Sequence, residues 1–220
     1  MTVQTATKMI PVSRPFFGIE EEQAVAEVLR SGWVAQGPRV AAFEKAFAQR
    51  VGAQHAIAVS SCATALHLVM STFSLKPGDE VICPSLSFIA TANSIVHAGG
   101  TPVFADVNPD TYNIDPDAIE KAVTSKTRAI MPVHQVGLPA DMNGVLAVAA
   151  RHKLPVIEDA APAVGTEYFG RPIGAPHSLA ACFSFDGRKI LSSGEGGVIT
   201  TNDDQLAARL RRLRTQGMTV

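Results

Sequence analysis

Residues Gln54–Cys83 read QHAIAVSSCATALHLVMSTFSLKPGDEVIC, and this stretch decides the fold. A short apolar run, Ala56–Val59, is followed by Ser60-Ser61, whose hydroxyls can cap a helix. The helix runs through Ala65, Leu66 and Leu68 to Phe73. Lys76-Pro77-Gly78-Asp79 is a turn, and Glu80–Cys83 is a second apolar run of strand length. Strand, capped helix, turn and strand in about thirty residues is the βαβ unit of an α/β protein.

The alternation continues towards the C-terminus. Ser87–Ala98 reads as a helix ended by Gly99-Gly100, Pro102–Val107 as a strand, and Asp115-Pro116 as the capped start of another helix. Strands Arg128–Val133 and Pro155–Asp159 flank a helix over Met142–Lys153. Leu179–Phe185 and Val198–Thr201 are two further strands, before a final helix, Asp203–Arg214. The short runs Val81-Ile82, Ala129-Ile130-Met131 and Val156-Ile157 suit strands buried on both faces. The expected fold is a mostly parallel seven-stranded sheet between helices, with right-handed crossovers.

Upstream, Ile19–Leu29 has acidic residues in its first turn (Glu20–Glu22) and places Val25, Val28 and Leu29 on one side. Ser31-Gly32 stops it, and the loop Gly32–Pro38 holds Trp33, either a hydrophobic anchor or a pocket wall. A second helix, Pro38–Val51, lines up Val40, Phe43 and Phe47. The chain divides into an N-terminal arm and helix, residues 1–35, and a large α/β domain, residues 36–220.

With 19 basic and 20 acidic residues, the chain has no charge excess to draw it to nucleic acid or an anionic membrane. The cluster Arg209, Arg211, Arg212 and Arg214 reads as a solvated helix face. Cys62, Cys83 and Cys182 lie among small or apolar residues, without metal-ligand spacing, and read as buried free thiols in a reducing compartment. The first residues contain no secretory core, and no stretch approaches the roughly twenty apolar residues of a spanning helix. A cytoplasmic protein is expected.

A parallel sheet of this type binds ligands beyond the carboxyl ends of its strands. After Ala56–Val59 comes a helix start of small residues, where free N–H groups suit an anion. After Pro155–Glu158 comes Asp159, a strand-end carboxylate that could be a cap or the partner of a buried cation. After Cys182–Phe185 comes Lys189, 30 residues beyond Asp159, in a turn closed by Ser192-Ser193-Gly194-Glu195-Gly196-Gly197. Each signal alone is weak. Together, an amine, a carboxylate and an anion cradle are what pyridoxal 5'-phosphate needs, and Phe88 is available as an aromatic plate for its ring. Asp159 would then keep the pyridine nitrogen protonated, and Lys189 would form the Schiff base and act as general base. Ser184 could donate its hydroxyl to the phosphate.

The motifs carrying these residues resemble those of the DegT/DnrJ/EryC1/StrS aminotransferases. They are Gly32–Pro38, Ser61–Leu66, Pro84–Asn93 (PSLSFIATAN), Val133–Met142 (VHQVGLPADM), Glu158–Ala161, and Ser184 through Lys189 to Gly197. The resemblance covers most of residues 9–220. It implies fold type I, Lys189 as Schiff-base lysine, Asp159 on the pyridine nitrogen and Phe88 stacked on the ring, with Cys62, Ala63 and Ser184 around the phosphate. It also implies a homodimer with shared sites, a nucleotide-linked keto-sugar as acceptor, and glutamate or glutamine as amino donor. Lysine at position 189 argues against the family's dehydratase branch.

The chain departs from the family pattern at Pro162, where Gln or His is common, at Cys62-Ala63 in place of Gly-Thr, and at Asp186 in place of His. Thr64 could restore the missing hydroxyl. Family members continue into a C-terminal small domain, so the chain is expected to be a truncated form with the cofactor residues but an incomplete substrate site. A cofactor-binding or regulatory remnant, and a fold-type-I lyase, are the competing readings.

Overall fold

The computed structural model describes residues 10–218 except 12 and 176. Seven helices and nine strands follow one another: α1 (Ile19–Ser31), α2 (Pro38–Val51), β1 (His55–Val59), α3 (Cys62–Ser71), β2 (Glu80–Pro84), α4 (Ile89–His97), β3 (Thr101–Ala105), α5 (Pro116–Ala122), β4 (Thr127–Ile130), α6 (Met142–His152), β5 (Ile157–Asp159), β6 (Glu167–Tyr168), β7 (Arg171–Pro172), β8 (Ala180–Ser184), β9 (Gly197–Thr201) and α7 (Asp204–Arg214). The expected caps are present. Ser61 accepts from the Thr64 N–H at the start of α3, and Asp115 precedes Pro116 at the start of α5.

Two hydrogen-bonded groups, β1-β9-β8-β5 and β3-β2-β4, are joined by parallel bridges Ile130–Val156 and Val133–Asp159. The result is one seven-stranded sheet in the order β1-β9-β8-β5-β4-β2-β3. Only β9 runs against the rest, antiparallel to both β1 and β8. Although β1 and β2 are consecutive in sequence, they are far apart in the sheet, so the unit that identified the fold is a long crossover. The crossover from β5 to its neighbour β8 carries no helix. It folds instead as the hairpin β6–β7, whose two-residue strands are too short to show a period in the sequence.

Side chains alternate across the sheet with period two. Ile57, Val81, Cys83, Ile157, Cys182 and Ile199 pack on one face under α3, α4 and α7. On the other face, Ala56, Ala181, Phe183 and Val198 pack under α2, while Ile82, Ile130 and Val156 pack under α5 and α6. Phe47 of α2 meets Phe183 edge-on at 5.1 Å, and Phe43 meets Phe185 at 5.4 Å, so α2 fixes the end of β8 from which the lysine loop departs.

Two expectations about surface residues need correction. The arginines of α7 do not form a uniformly solvated face. Arg214 is mostly buried and pairs with Glu44 of α2 and the Ala58 carbonyl, while Arg209 donates to the Thr72 carbonyl at 2.8 Å. Helix α1 lies at the opposite extreme: it buries none of its residues, and its apolar side, including Val25 and Leu29, faces outward. Trp33 is 62% exposed and anchors nothing in the core of this chain.

No helix among the described residues is long and apolar enough to cross a membrane.

Candidate active site

Because β1, β2, β4, β5 and β8 run the same way, their carboxyl ends share one edge of the sheet. A cavity of about 420 Å³ opens there, lined by Ser61, Cys62, Ala63, Phe88, Asp159, Ser184, Asp186, Arg188, Lys189 and Glu195, among others. All six residues anticipated for the cofactor (Lys189, Asp159, Phe88, Cys62, Ala63 and Ser184) line this one cavity, although up to 127 positions separate them in the chain.

The first wall is the start of α3. Ser61 is its cap and satisfies the Thr64 N–H, whereas the N–H groups of Cys62 and Ala63 have no intrahelical acceptor. They and the helix dipole make this end receptive to an anion. The Thr64 hydroxyl is engaged by Ser60 and Ser61, at 3.1 and 3.0 Å, and does not replace a phosphate contact in this arrangement. Gly197, the first residue of β9, packs directly against this turn. A Cβ there would lie 2.4 Å from the Ser61 carbonyl carbon and 2.7 Å from the Cys62 nitrogen.

The floor is Asp159, 4% exposed. Its Oδ2 accepts from the Thr91 hydroxyl at 2.7 Å and its Oδ1 from the Ala161 N–H at 3.2 Å. Burial pushes its carboxyl above the ordinary value; the Thr91 and Ala161 hydrogen bonds and the nearby charge of Lys189 act in the opposite sense. A carboxylate so placed is stabilised by a cation presented from the cavity. The Cys62 thiol sits 3.9 Å from Asp159 Oδ1 and 3.4 Å from the Cys182 carbonyl. Burial and Asp159 push it well above the usual thiol range, so Cys62 acts as a small buried wall and not as a nucleophile.

Lys189 enters on the loop after β8, in a turn closed by its own N–H to the Asp186 carbonyl at 2.9 Å. Arg188 pairs with Asp186 at 3.0 Å, and this pair holds the Asp186 carboxyl below its usual range. Phe88, the residue before α4, is 70% exposed and borders the cavity. A second cavity of about 210 Å³ adjoins the lysine, between Val136, Pro162, Arg188, Lys189 and Ile190. Pro162, noted above as a departure from the family pattern, presents an apolar wall there.

Beneath the floor lies a polar group that the sequence reading gave no role. His134 and Glu158 are fully buried, with His134 Nε2 and Glu158 Oε2 2.8 Å apart. The Ala140 N–H donates to His134 Nδ1 at 3.0 Å, so Nε2 carries the proton and donates to the carboxylate. Ser178 donates to the other Glu158 oxygen at 2.5 Å. Thr91 was also missed, although it lies in a quoted motif three residues after Phe88.

The DegT/DnrJ/EryC1/StrS aminotransferase family matches the chain over residues 17–220. The chain belongs to this family. The spore coat polysaccharide biosynthesis protein SpsC of Bacillus subtilis (strain 168) is 50% identical over 216 residues, covering 98% of this chain and 55% of SpsC. A crystal structure of DesI in the presence of its TDP-sugar product is similar at a TM-score of 0.87 and 36% identity, over 94% of this chain and 52% of DesI. The PLP form of Spr1654 from Streptococcus pneumoniae is similar at a TM-score of 0.91 and 29% identity, over 96% and 59% of the two chains. The chain therefore spans a little over half the length of the relatives it matches, and its fold is that of the α/β part of sugar aminotransferases that use pyridoxal phosphate.

Proposed function

We propose that this chain carries the cofactor site of an aminotransferase that moves an amino group from glutamate or glutamine to a nucleotide-linked keto-sugar, with pyridoxal phosphate as cofactor. The observation that carries the reading is the meeting of Lys189, Asp159 and the α3 start in one cavity. The donor set fits the cofactor. Asp159 is a buried acceptor-only group that suits a protonated ring nitrogen, and the Cys62 and Ala63 N–H groups suit a phosphate.

Pyridoxal phosphate supplies an aldehyde for amine exchange and an electron-withdrawing ring. The chain's own residues do the rest. Asp159 would hold a proton on the ring nitrogen, Phe88 would lie against the ring, and Ser184 would offer its hydroxyl to the phosphate. Lys189 would hold the cofactor through its amine and, once free, would serve as the base for the donor's α-carbon proton. The polysaccharide role in SpsC's name and the TDP-sugar product of DesI support a sugar nucleotide as acceptor. The outward apolar side of α1, with Phe16, Trp33, Val136 and Ile190, supports the homodimer.

The test is spectroscopic. Adding pyridoxal phosphate to the chain should produce a visible band, which glutamate or glutamine bleaches and a nucleotide-linked keto-sugar restores. A band that no amino donor bleaches would argue against a transaminase and for a cofactor-binding remnant.

A further inference from the structure

We infer that Thr91 is a positioning residue for Asp159, so that the first turn of α4 sets the carboxylate and the Phe88 plate together. The inference rests on the cofactor reading above. Thr91 is 1% exposed, and its hydroxyl lies 2.7 Å from Asp159 Oδ2. An ionised carboxylate only accepts, so the one Thr91 proton is committed to it. Ser87, whose hydroxyl lies 2.6 Å from the Thr91 oxygen, must then donate its own proton. The hydroxyls form a directed chain, Ser87 to Thr91 to Asp159.

This chain has few rivals. The Ala161 N–H anchors the other carboxylate oxygen and belongs to the backbone. The thiol of Cys62 at 3.9 Å is a weak donor. The remaining groups that act on Asp159 are His134 after β4, Cys182 of β8 and Lys189 on the loop beyond it, and none of them hydrogen-bonds its side chain. Among the described residues, Thr91 is therefore the one strong side-chain donor that fixes the torsion of the carboxylate. The Thr91 N–H also donates to the Phe88 carbonyl at 3.1 Å, which ties the plate to the same turn.

The experiment is equilibrium dialysis of pyridoxal phosphate against the wild-type chain, Thr91→Val, Thr91→Ser and Ser87→Ala, from pH 5 to 8. Thr91→Val keeps the shape and removes the donor. It should weaken binding about tenfold at neutral pH, the scale of one hydrogen bond to a charged group. It should also move the acid limb of binding to higher pH, because Asp159 without its donor takes up a proton more readily. Thr91→Ser should restore both, and Ser87→Ala should shift the limb in the same direction by less. A Thr91→Val chain with wild-type affinity and an unmoved limb would overturn the inference, as would Thr91→Ser behaving like Thr91→Val. If Thr91→Val does not fold, Ser87→Ala decides by whether the limb moves. A wild-type chain that binds no pyridoxal phosphate overturns the cofactor reading and this inference with it, whereas wild-type binding with indifferent variants overturns this inference alone.

Discussion

Asp159→Asn should stabilise the cofactor-free chain and weaken pyridoxal phosphate binding at once. In the free chain the carboxylate is buried with no full counter-charge, so its ionised form is disfavoured by burial. The amide is nearly isosteric, and Thr91 and Ser87 can reverse their hydroxyls to accept from it. The gain should be on the order of 1 kcal/mol at neutral pH, the low end of the cost of burying an uncompensated polar group, or roughly 3 °C in melting temperature for a chain of this size.

The sign with pH follows from the raised carboxyl. Its contribution to stability is fully present below the ordinary value of 3.8 and is lost as pH rises through the elevated native value. The advantage of Asn should therefore appear above that window and vanish at acid pH. With cofactor the order reverses. Losing a buried charge partner costs about 3 kcal/mol, roughly a hundredfold in Kd. Thermal melts with and without pyridoxal phosphate at two pH values check both halves. Equal melting temperatures throughout would mean that Asp159 is only a structural acceptor.

Gly197→Ala should damage the anion cradle without touching any reactive group. The new methyl would sit 2.4 Å from backbone of the Ser61–Cys62 turn, and backbone cannot swing aside as a flexible side chain can. Either β9 or the start of α3 must retreat by about 1 Å. Gly197 pairs with Val59 of β1 and Ser184 of β8, so the strain falls on both sheet neighbours of the site. Overpacking of this kind costs about 2 kcal/mol, or roughly 5 °C, and a displacement near 1 Å should cost at least tenfold in cofactor affinity. Unchanged melting and affinity would show that the turn is softer than its packing implies.

The alternation of apolar runs and capped helices was enough to read the layers, because the runs are too short for helices and are bounded by turn and cap residues. Strand order was not legible. Nothing in Ala56–Val59 or Glu80–Cys83 says that β9, β8, β5 and β4 come between them, since the register of a parallel sheet is set by packing across the whole layer. The hairpin β6–β7 was invisible for lack of length. Arg214 was misread because four nearby arginines look like one solvated stripe, while its buried partner, Glu44, is 170 residues away.

At the cavity, Lys189 and Asp159 could be singled out because a lysine and a carboxylate are rare at the ends of apolar strands, whereas Cys62 and Ala63 followed only from the family resemblance. Their supports could not be singled out. Thr91 looks like an ordinary helix residue until the fold brings it to Asp159, 68 positions on. His134 and Glu158 likewise gain their meaning from the bridge between β4 and β5.

The central claim is that Lys189 is the amine that holds the cofactor. The direct measurement is to incubate the chain with pyridoxal phosphate, reduce with borohydride and map the modified peptide by mass spectrometry. The account predicts a single pyridoxyl adduct on Lys189, absent from Lys189→Ala. An adduct on another lysine, or undiminished labelling of Lys189→Ala, would contradict it.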